Sequence, residues 1–317
     1  MKAGIWSNSQ QARELLARQQ VSWPAARAGY RELEKVEVKV CHIGGLAIKV
    51  QYNPARIISS GAKTDAQSLR KRPCFLCPAH LPPEQEGLPM GNKYLLLCNP
   101  YPIFPEHFTI AARRHVEQHI RYRFTDFLTA ARQLSDFTLF YNGPQSGASA
   151  PDHLHFQAVT RSYMPIDEEA GLHRGERLLE EAGAAIYLLT GYLRNGFILE
   201  AETEEGAYAL FKRLYKTLRY CVNGETEPRM NLFCRYEDSR WQLAVIPRAV
   251  HRPRQYYAEG ADHVLTAPGA ADTGGVFITA RREDFEKMTP ELLLDIYQQI
   301  AFPDSHISYL AEYLLKH

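Results

Sequence analysis

No apolar run in this 317-residue sequence reaches the roughly 20 residues that cross a bilayer. Met1 to Val21 also has no apolar core of the kind a signal peptide carries. Charge of neither sign is in excess: the formal net charge is +1, so no surface-wide field recruits nucleic acid or an anionic membrane. Disulfides are not expected. The six cysteines (Cys41, Cys74, Cys77, Cys98, Cys221 and Cys234) come with no secretion signal, so a conspicuous spacing among them argues for metal or redox chemistry. A cytoplasmic protein is expected, with neither nucleic acid nor membrane as partner. What is present, 45% apolar and 23% charged residues, is globular composition with length for one large domain or two.

The most informative stretch runs from Asn142 to Gln157, Asn-Gly-Pro-Gln-Ser-Gly-Ala-Ser-Ala-Pro-Asp-His-Leu-His-Phe-Gln. Polar and apolar residues alternate at its end. A strand over Asp152 to Val159 therefore projects His153, His155 and Gln157 from one face and packs Leu154, Phe156 and Ala158 behind. Three such polar side chains in a row are costly unless they have partners or work. Upstream, Gly147 and the small residues Ser146, Ala148, Ser149 and Ala150 let backbone N–H groups approach a ligand closely, and a phosphate is the usual guest of such a loop. Neutral imidazole beside a phosphate attacks phosphorus without first losing a proton.

His-Leu-His-Phe-Gln after a Gly-Ala-Ser loop resembles the signature of the nucleotidyl-transferring branch of the histidine triad superfamily. That branch holds galactose-1-phosphate uridylyltransferase, diadenosine tetraphosphate phosphorylase and GDP-L-galactose phosphorylase. The hydrolase branch is similar but has a third histidine where this sequence has Gln157. The resemblance implies a covalently nucleotidylated His155, a Gln157 that donates to a phosphate oxygen, and contributions to the site from His153, Asn142, Ser146, Gly147 and Ser149. Gln51 to Arg56 is similar to a Gln-x-Asn-x-x-Arg segment of the GDP-L-galactose phosphorylases, which assigns nucleotide contacts to Asn53 and Arg56. Gly274 to Phe285 is similar to a segment near the end of the same catalytic region.

Cys74-Phe75-Leu76-Cys77 offers two thiolates three positions apart, flanked by Pro73 and Pro78, which suits half of a tetrahedral zinc site. Spacing does not supply the other half. In zinc-bearing members of the family, a histidine closing the following strand and the first histidine of the His-x-His-x-Gln motif complete it. The positions here are His115 and His153, with His107 competing for the third place. The zinc so implied is structural. The uridylyltransferases carry such a cysteine pair and the GDP-L-galactose phosphorylases do not, so traits of both are mixed.

Elsewhere, helices are expected over Ser7–Arg18, Ala25–Leu33, Val116–Ser135, Glu168–Ala182, Glu204–Cys221, Pro290–Phe302 and Ser305–Leu315. Strands are expected within Val36–Tyr52 and over Tyr94–Cys98, Glu106–Ala111, Phe137–Tyr141, Ala184–Leu193 and Gly196–Ala201. Ser59–Arg72 is expected to be a loop. Arg229–Cys234 and Trp241–Arg248 form a hairpin that looks like a degenerate copy of the hairpin ending near Arg114-His115.

The expected fold is α+β: a duplicated histidine-triad-like fold of antiparallel half-barrels with flanking helices. It divides into an N-terminal helical segment (1–35), a catalytic half (36–165) and a degenerate second half (166–317). The expected function is a nucleotidyltransferase or phosphorylase acting on a nucleoside diphosphate-sugar, GDP-hexose phosphorylase-like. His155 attacks the α-phosphate on the Ser146–Ser149 loop, a basic side chain such as Arg56 or Arg161 offsets the developing charge, and phosphate or a sugar phosphate is the acceptor. The alternatives are a dinucleoside polyphosphate phosphorylase or hydrolase and a non-catalytic nucleotide-binding relative. A monomer or homodimer is expected.

Overall fold

Two stretches of this chain follow one strand order. The computed structural model describes residues 4–57, 65–222 and 226–317. The chain opens with helices Ser9–Ser22 and Pro24–Leu33. The first is capped by Asn8 in a reciprocal box with Gln11, and the second starts on a proline whose missing N–H costs a first turn nothing. A hairpin follows, β1 (Glu37–Ile43) and β2 (Leu46–Tyr52), closed by Gly44 and Gly45 at φ +55° and +85°, as a two-residue turn of this hand requires.

The first stretch is β3 (Gly87–Met90), β4 (Tyr94–Cys98), β5 (His107–Ala112), helix Phe124–Gln133, β6 (Phe137–Asn142) and β7 (His155–Thr160). The second is β8 (Arg174–Glu181), β9 (Ala184–Leu189), β10 (Gly196–Ala201), helix Glu204–Cys221, β11 (Met230–Glu237) and β12 (Arg240–Pro247). They lie in one antiparallel ten-stranded sheet of order β3-β4-β5-β7-β6-β11-β12-β10-β9-β8. Each half is a three-strand meander, a crossover helix and a hairpin added in reverse order, and β6 pairs with β11 at the junction. The duplication is therefore as expected, with one correction. The hairpin β11–β12 copies β6–β7, not the β4–β5 hairpin it was matched to, whose counterpart is β9–β10.

The two crossover helices cover one face of the sheet. Phe124 and Phe211 stack across the junction, ring centroids 3.7 Å apart and 2° from parallel. Leu154, Phe156 and Ala158 bury on this face, as do Leu232, Leu243 and Val245. The opposite face carries His155 and Gln157 and is roofed by a second sheet, β1-β2-β13, whose last strand (Val276–Thr279) runs parallel to β2 from far along the chain. On β12 the equivalent face shows Ala244 and Ile246, so the second half keeps the fold without the histidines.

Three local expectations change. Helix Val116–Ser135 shortens to Phe124–Gln133, because the backbone at 116 and 118 bonds to the segment before β7: Leu154 N donates to Val116 O at 2.7 Å and Gln118 N to Pro151 O at 3.3 Å. Glu168–Ala182 is helical only over Ile166–Leu172 and then becomes β8, a sheet edge whose charges hide its strand character. Ser59–Arg72 lies partly outside the described residues, and its described end is a helix, Ala66–Lys71. No helix among the described residues is long and apolar enough to cross a membrane.

Candidate active site and metal-ligand cluster

His155 begins β7 and is 4% exposed. Its Nδ1–H donates to the His153 carbonyl at 2.8 Å, which leaves the Nε2 lone pair as the nitrogen offered to the cavity this residue lines. Burial, above all, draws its pKa down to about 4, so the ring is neutral and nucleophilic near neutral pH. Gln118 sets the position of the strand: its Oε1 accepts the His155 N–H at 2.8 Å, while its Nε2 donates to His155 O at 3.0 Å and Asn142 O at 2.9 Å. One amide thus joins the end of β6 to the start of β7 across the loop between them.

Gln157 shares the cavity face with His155, two residues on. Its Oε1 lies 2.7 Å from Nε2 of His107, whose Nδ1 accepts the Ile103 N–H at 3.2 Å. His107 is therefore the Nε2–H tautomer, donating to Gln157, and burial holds it neutral with its pKa near 3. With Oε1 so engaged, Gln157 presents its NH₂ group. His107 competed in the sequence for a metal-ligand place; here it orients the motif glutamine.

His153 does not share that face. It precedes β7 and turns away, Nε2–H donating to Ala112 O at 2.7 Å and Nδ1 lying 3.2 Å from Cys74 Sγ and 3.6 Å from Cys77 Sγ. His115 Nδ1 is 3.3 Å from Cys77 Sγ. The ligand atoms of Cys74, Cys77, His115 and His153 all lie within 4.8 Å of one another. Tetrahedral zinc bonds of about 2.3 Å to sulfur and about 2.0 Å to nitrogen need donor separations of about 3.3–3.8 Å, close to the Cys74–His153, Cys77–His153 and Cys77–His115 distances of 3.2, 3.6 and 3.3 Å, and two thiols with two imidazoles are the donor set of a closed Cys₂His₂ site. The His153 tautomer, fixed by a backbone carbonyl, is the one a ligand needs. Burial pushes the Cys74 thiol up to about 11, so it takes a bound cation to hold it as thiolate at neutral pH. Between the cysteines, Phe75 and Leu76 line the cavity while the sulfurs do not.

The cavity measures about 570 Å³, a volume suited to a small-molecule ligand. Gly147, Ala148 and Ser149 form part of its wall, as the loop reading expected, and Asn142 and Arg56 are present too. Gly147 has φ +90° and packs on Gly269 of the second half, where a Cβ would meet Gly269 N and Pro268 O at 2.8 Å. Asn142 Oδ1 accepts from Ala270 N at 2.7 Å and Asn231 Nδ2 at 2.8 Å, leaving its Nδ2 for a ligand.

Three expected contacts are not on the wall. Asn53 is buried, its Nδ2 donating to Pro102 O at 3.1 Å and Gln51 Oε1 at 3.3 Å. Ser146 is fully buried under the loop, its carbonyl accepting from Asn231. Arg161 pairs with Glu237 at 3.2 Å, so Arg56 is the basic residue of that pair at the cavity. Sequence reasoning missed Gln118, His251, Arg252 and Asp272. The last three come from the second half, where the signal was the basic run Arg248, His251, Arg252, Arg254 after a strand.

A family model described as a domain of unknown function (DUF4922) matches residues 15–160. No curated protein matches the sequence. Among solved structures, yeast Ap4A phosphorylase Apa2 in complex with AMP is similar at TM-score 0.58 and 16% identity, over 94% of this chain and 98% of that one. The same enzyme in complex with Ap4A is similar at TM-score 0.55 and 17% identity, over 94% and 99%. At such identity the likeness is one of fold. The duplicated strand order and these near full-length matches agree: the chain shares the α+β fold of that phosphorylase.

Proposed function

We propose that this chain is a nucleotidyltransferase of the phosphorylase kind, working through a nucleotidyl intermediate on Nε2 of His155. The observation that carries this is the His155 ring: neutral, its Nδ1–H held by the His153 carbonyl, its other nitrogen left to a cavity walled by a glycine loop and the Gln157 amide. A donor with a nucleotide joined through a pyrophosphate bond binds its α-phosphate against residues 147–149. Nε2 attacks phosphorus, the P–O bond to the leaving phosphate breaks, and an imidazolium phosphoramidate forms. Attack by an acceptor oxygen then breaks the P–N bond and returns neutral imidazole, so no proton need leave the ring in either step. Backbone N–H groups, the Gln157 NH₂ and Arg56 offset charge on the phosphoryl oxygens.

Two donors suit this scheme. The nucleoside diphosphate-sugar, GDP-hexose-like, is the sequence-based reading. A dinucleoside polyphosphate is supported by the fold likeness to an enzyme solved with Ap4A. The metal role we propose is structural: zinc bound by Cys74, Cys77, His115 and His153 ties the loop bearing Phe75 to the residue beside His155, and no step of the transfer needs it. The test is intact-protein mass spectrometry after exposure to both donor classes without acceptor. A nucleoside monophosphate adduct in the wild type, absent in a folded His155→Ala, is expected, and its mass identifies the base. Turnover retained by His155→Ala would remove the proposal.

A further inference from the structure

Helix Glu204–Cys221 covers the sheet face turned away from His155, and its charges are sorted along its length. The acids, Glu204 and Glu205, lie in the first turn, while Lys212, Arg213, Lys216 and Arg219 follow toward the other end. Lys212, Lys216 and Arg219 are four and three positions apart, so they form one stripe, and all three are exposed. Arg219 is hydrogen-bonded to the Tyr215 side chain, and Arg121 comes to the same ring, its Cζ 5.9 Å from the centroid. Arg213 pairs with Glu181 at 4.0 Å, whereas Lys212, Lys216, Arg219 and Arg121 have no carboxylate partner among the described residues. Glu227, the carboxyl that faces Tyr215 from within, is pushed up to about 8 by burial, so it carries a proton at neutral pH and does not offset them. A net charge of +1 over the whole chain thus conceals a local excess here.

Aromatic rings lie open beside these cations. Tyr220, four residues after Lys216 and 75% exposed, stacks on Tyr313 of the last helix (Asp304–Lys316), with centroids 5.6 Å apart and planes 26° from parallel. Tyr313 stacks in turn on His317, at 4.2 Å and 13°. Tyr122 is 72% exposed, with the Arg121 guanidinium 5.1 Å from its ring. Rings this exposed bury nothing of the core. An acidic protein surface would engage the cations and have no use for the rings, and a duplex hides the faces of its bases. A single strand uses both, since its bases stack on flat rings while its phosphates pair with the charges.

We propose that this face binds single-stranded nucleic acid, with bases on Tyr220 and Tyr122 and phosphates on Lys212, Lys216, Arg219 and Arg121. The site lies across the sheet from the cavity, so the strand neither enters the cavity nor competes with a nucleotide there. The inference therefore stands apart from the reaction at His155.

The experiment follows the fluorescence anisotropy of a labelled 15-nucleotide oligoadenylate, an RNA probe of about the length such sites cover, against full-length protein at several salt concentrations. Saturable binding that weakens with salt is expected, with an unlabelled single strand competing better than a duplex of equal length. Lys216→Gln with Arg219→Gln should weaken binding by about tenfold and flatten its salt dependence. Tyr220→Ala should also weaken it by about tenfold, with the salt dependence unchanged, as loss of one stacked base predicts. All three side chains are exposed, and melting curves check that the variants fold. His155→Ala should bind as wild type does. Absence of saturable binding at physiological salt, or unchanged affinity in either variant, overturns the proposal. If only the charge variant weakens, and polyglutamate displaces the probe as well as unlabelled oligoadenylate does, the face fits an acidic polypeptide instead.

Discussion

Nε2 of His107 lies 2.7 Å from Oε1 of Gln157, on neighbouring strands β5 and β7, and this contact decides which end of the glutamine amide faces the cavity. Without it the amide is free to present its oxygen, which repels a phosphate. His107→Ala is expected to lower kcat by about tenfold to a hundredfold with little change in KM, a positioning loss. The discriminating measurement is the double variant. His107→Ala with Gln157→Ala should be no slower than Gln157→Ala alone, since the histidine acts through the amide. Additive losses would show that His107 acts by another route.

The four-ligand cluster predicts one zinc ion per chain by metal analysis, lost in Cys74→Ala and in His153→Ala. Both variants, and wild type stripped by a chelator, are expected to melt at lower temperature, because binding free energy at such a site is also folding free energy. Activity should fall with stability, since His153 supplies the carbonyl that holds His155. A melting curve unaltered by complete removal of the metal would count against a structural role.

Glu227 gives a pH prediction away from both sites. It is buried, accepting from Ile120 N at 2.7 Å and Tyr141 OH at 2.6 Å, and burial raises its carboxyl from 4.5 to about 8. Between those values the folded protein keeps a proton that the unfolded chain has released, so stability is highest at the acid end and falls as pH rises. The slope is about 1.4 kcal/mol per pH unit for one such group. Glu227→Gln mimics the protonated form and should remove that slope. Denaturant melts at several pH values should show the variant near wild type in acid and more stable than wild type above neutrality. Parallel curves would refute the assignment.

Gly147→Ala should damage loop and roof together. The left-handed backbone alone costs about 1–2 kcal/mol with a side chain, and the new methyl has no room against Gly269 and Pro268. Lower thermal stability and loss of nucleotide binding are expected, the latter read by calorimetry. Wild-type affinity in the variant would mean that the loop does not hold the phosphate.

What could be read from the sequence was what lies close along the chain. His155 and Gln157, or Cys74 and Cys77, announce themselves because their spacing is their geometry, whereas His153, expected on the same face, precedes β7 and turns to the cysteines, and helix Glu204–Cys221 was legible to the residue from its apolar period. Arg161 and Asn53 looked equally apt and were not, because Glu237 and Pro102, which occupy them, are distant in sequence. The same distance hid Gln118, whose side chain replaces helix bonds with ties to Asn142 and His155. Strand β8 was missed because a charged edge strand shows no alternation.

The pairing of β6 with β11 makes the halves one continuous hydrogen-bonded layer. Every residue of β6 is buried. A fragment ending after β7, close to the extent of the matching family model, would therefore expose Phe137–Asn142 as a bare apolar edge. Such an edge templates pairing with another copy of itself. The second half thus also covers an edge that would otherwise be open to pairing with another copy.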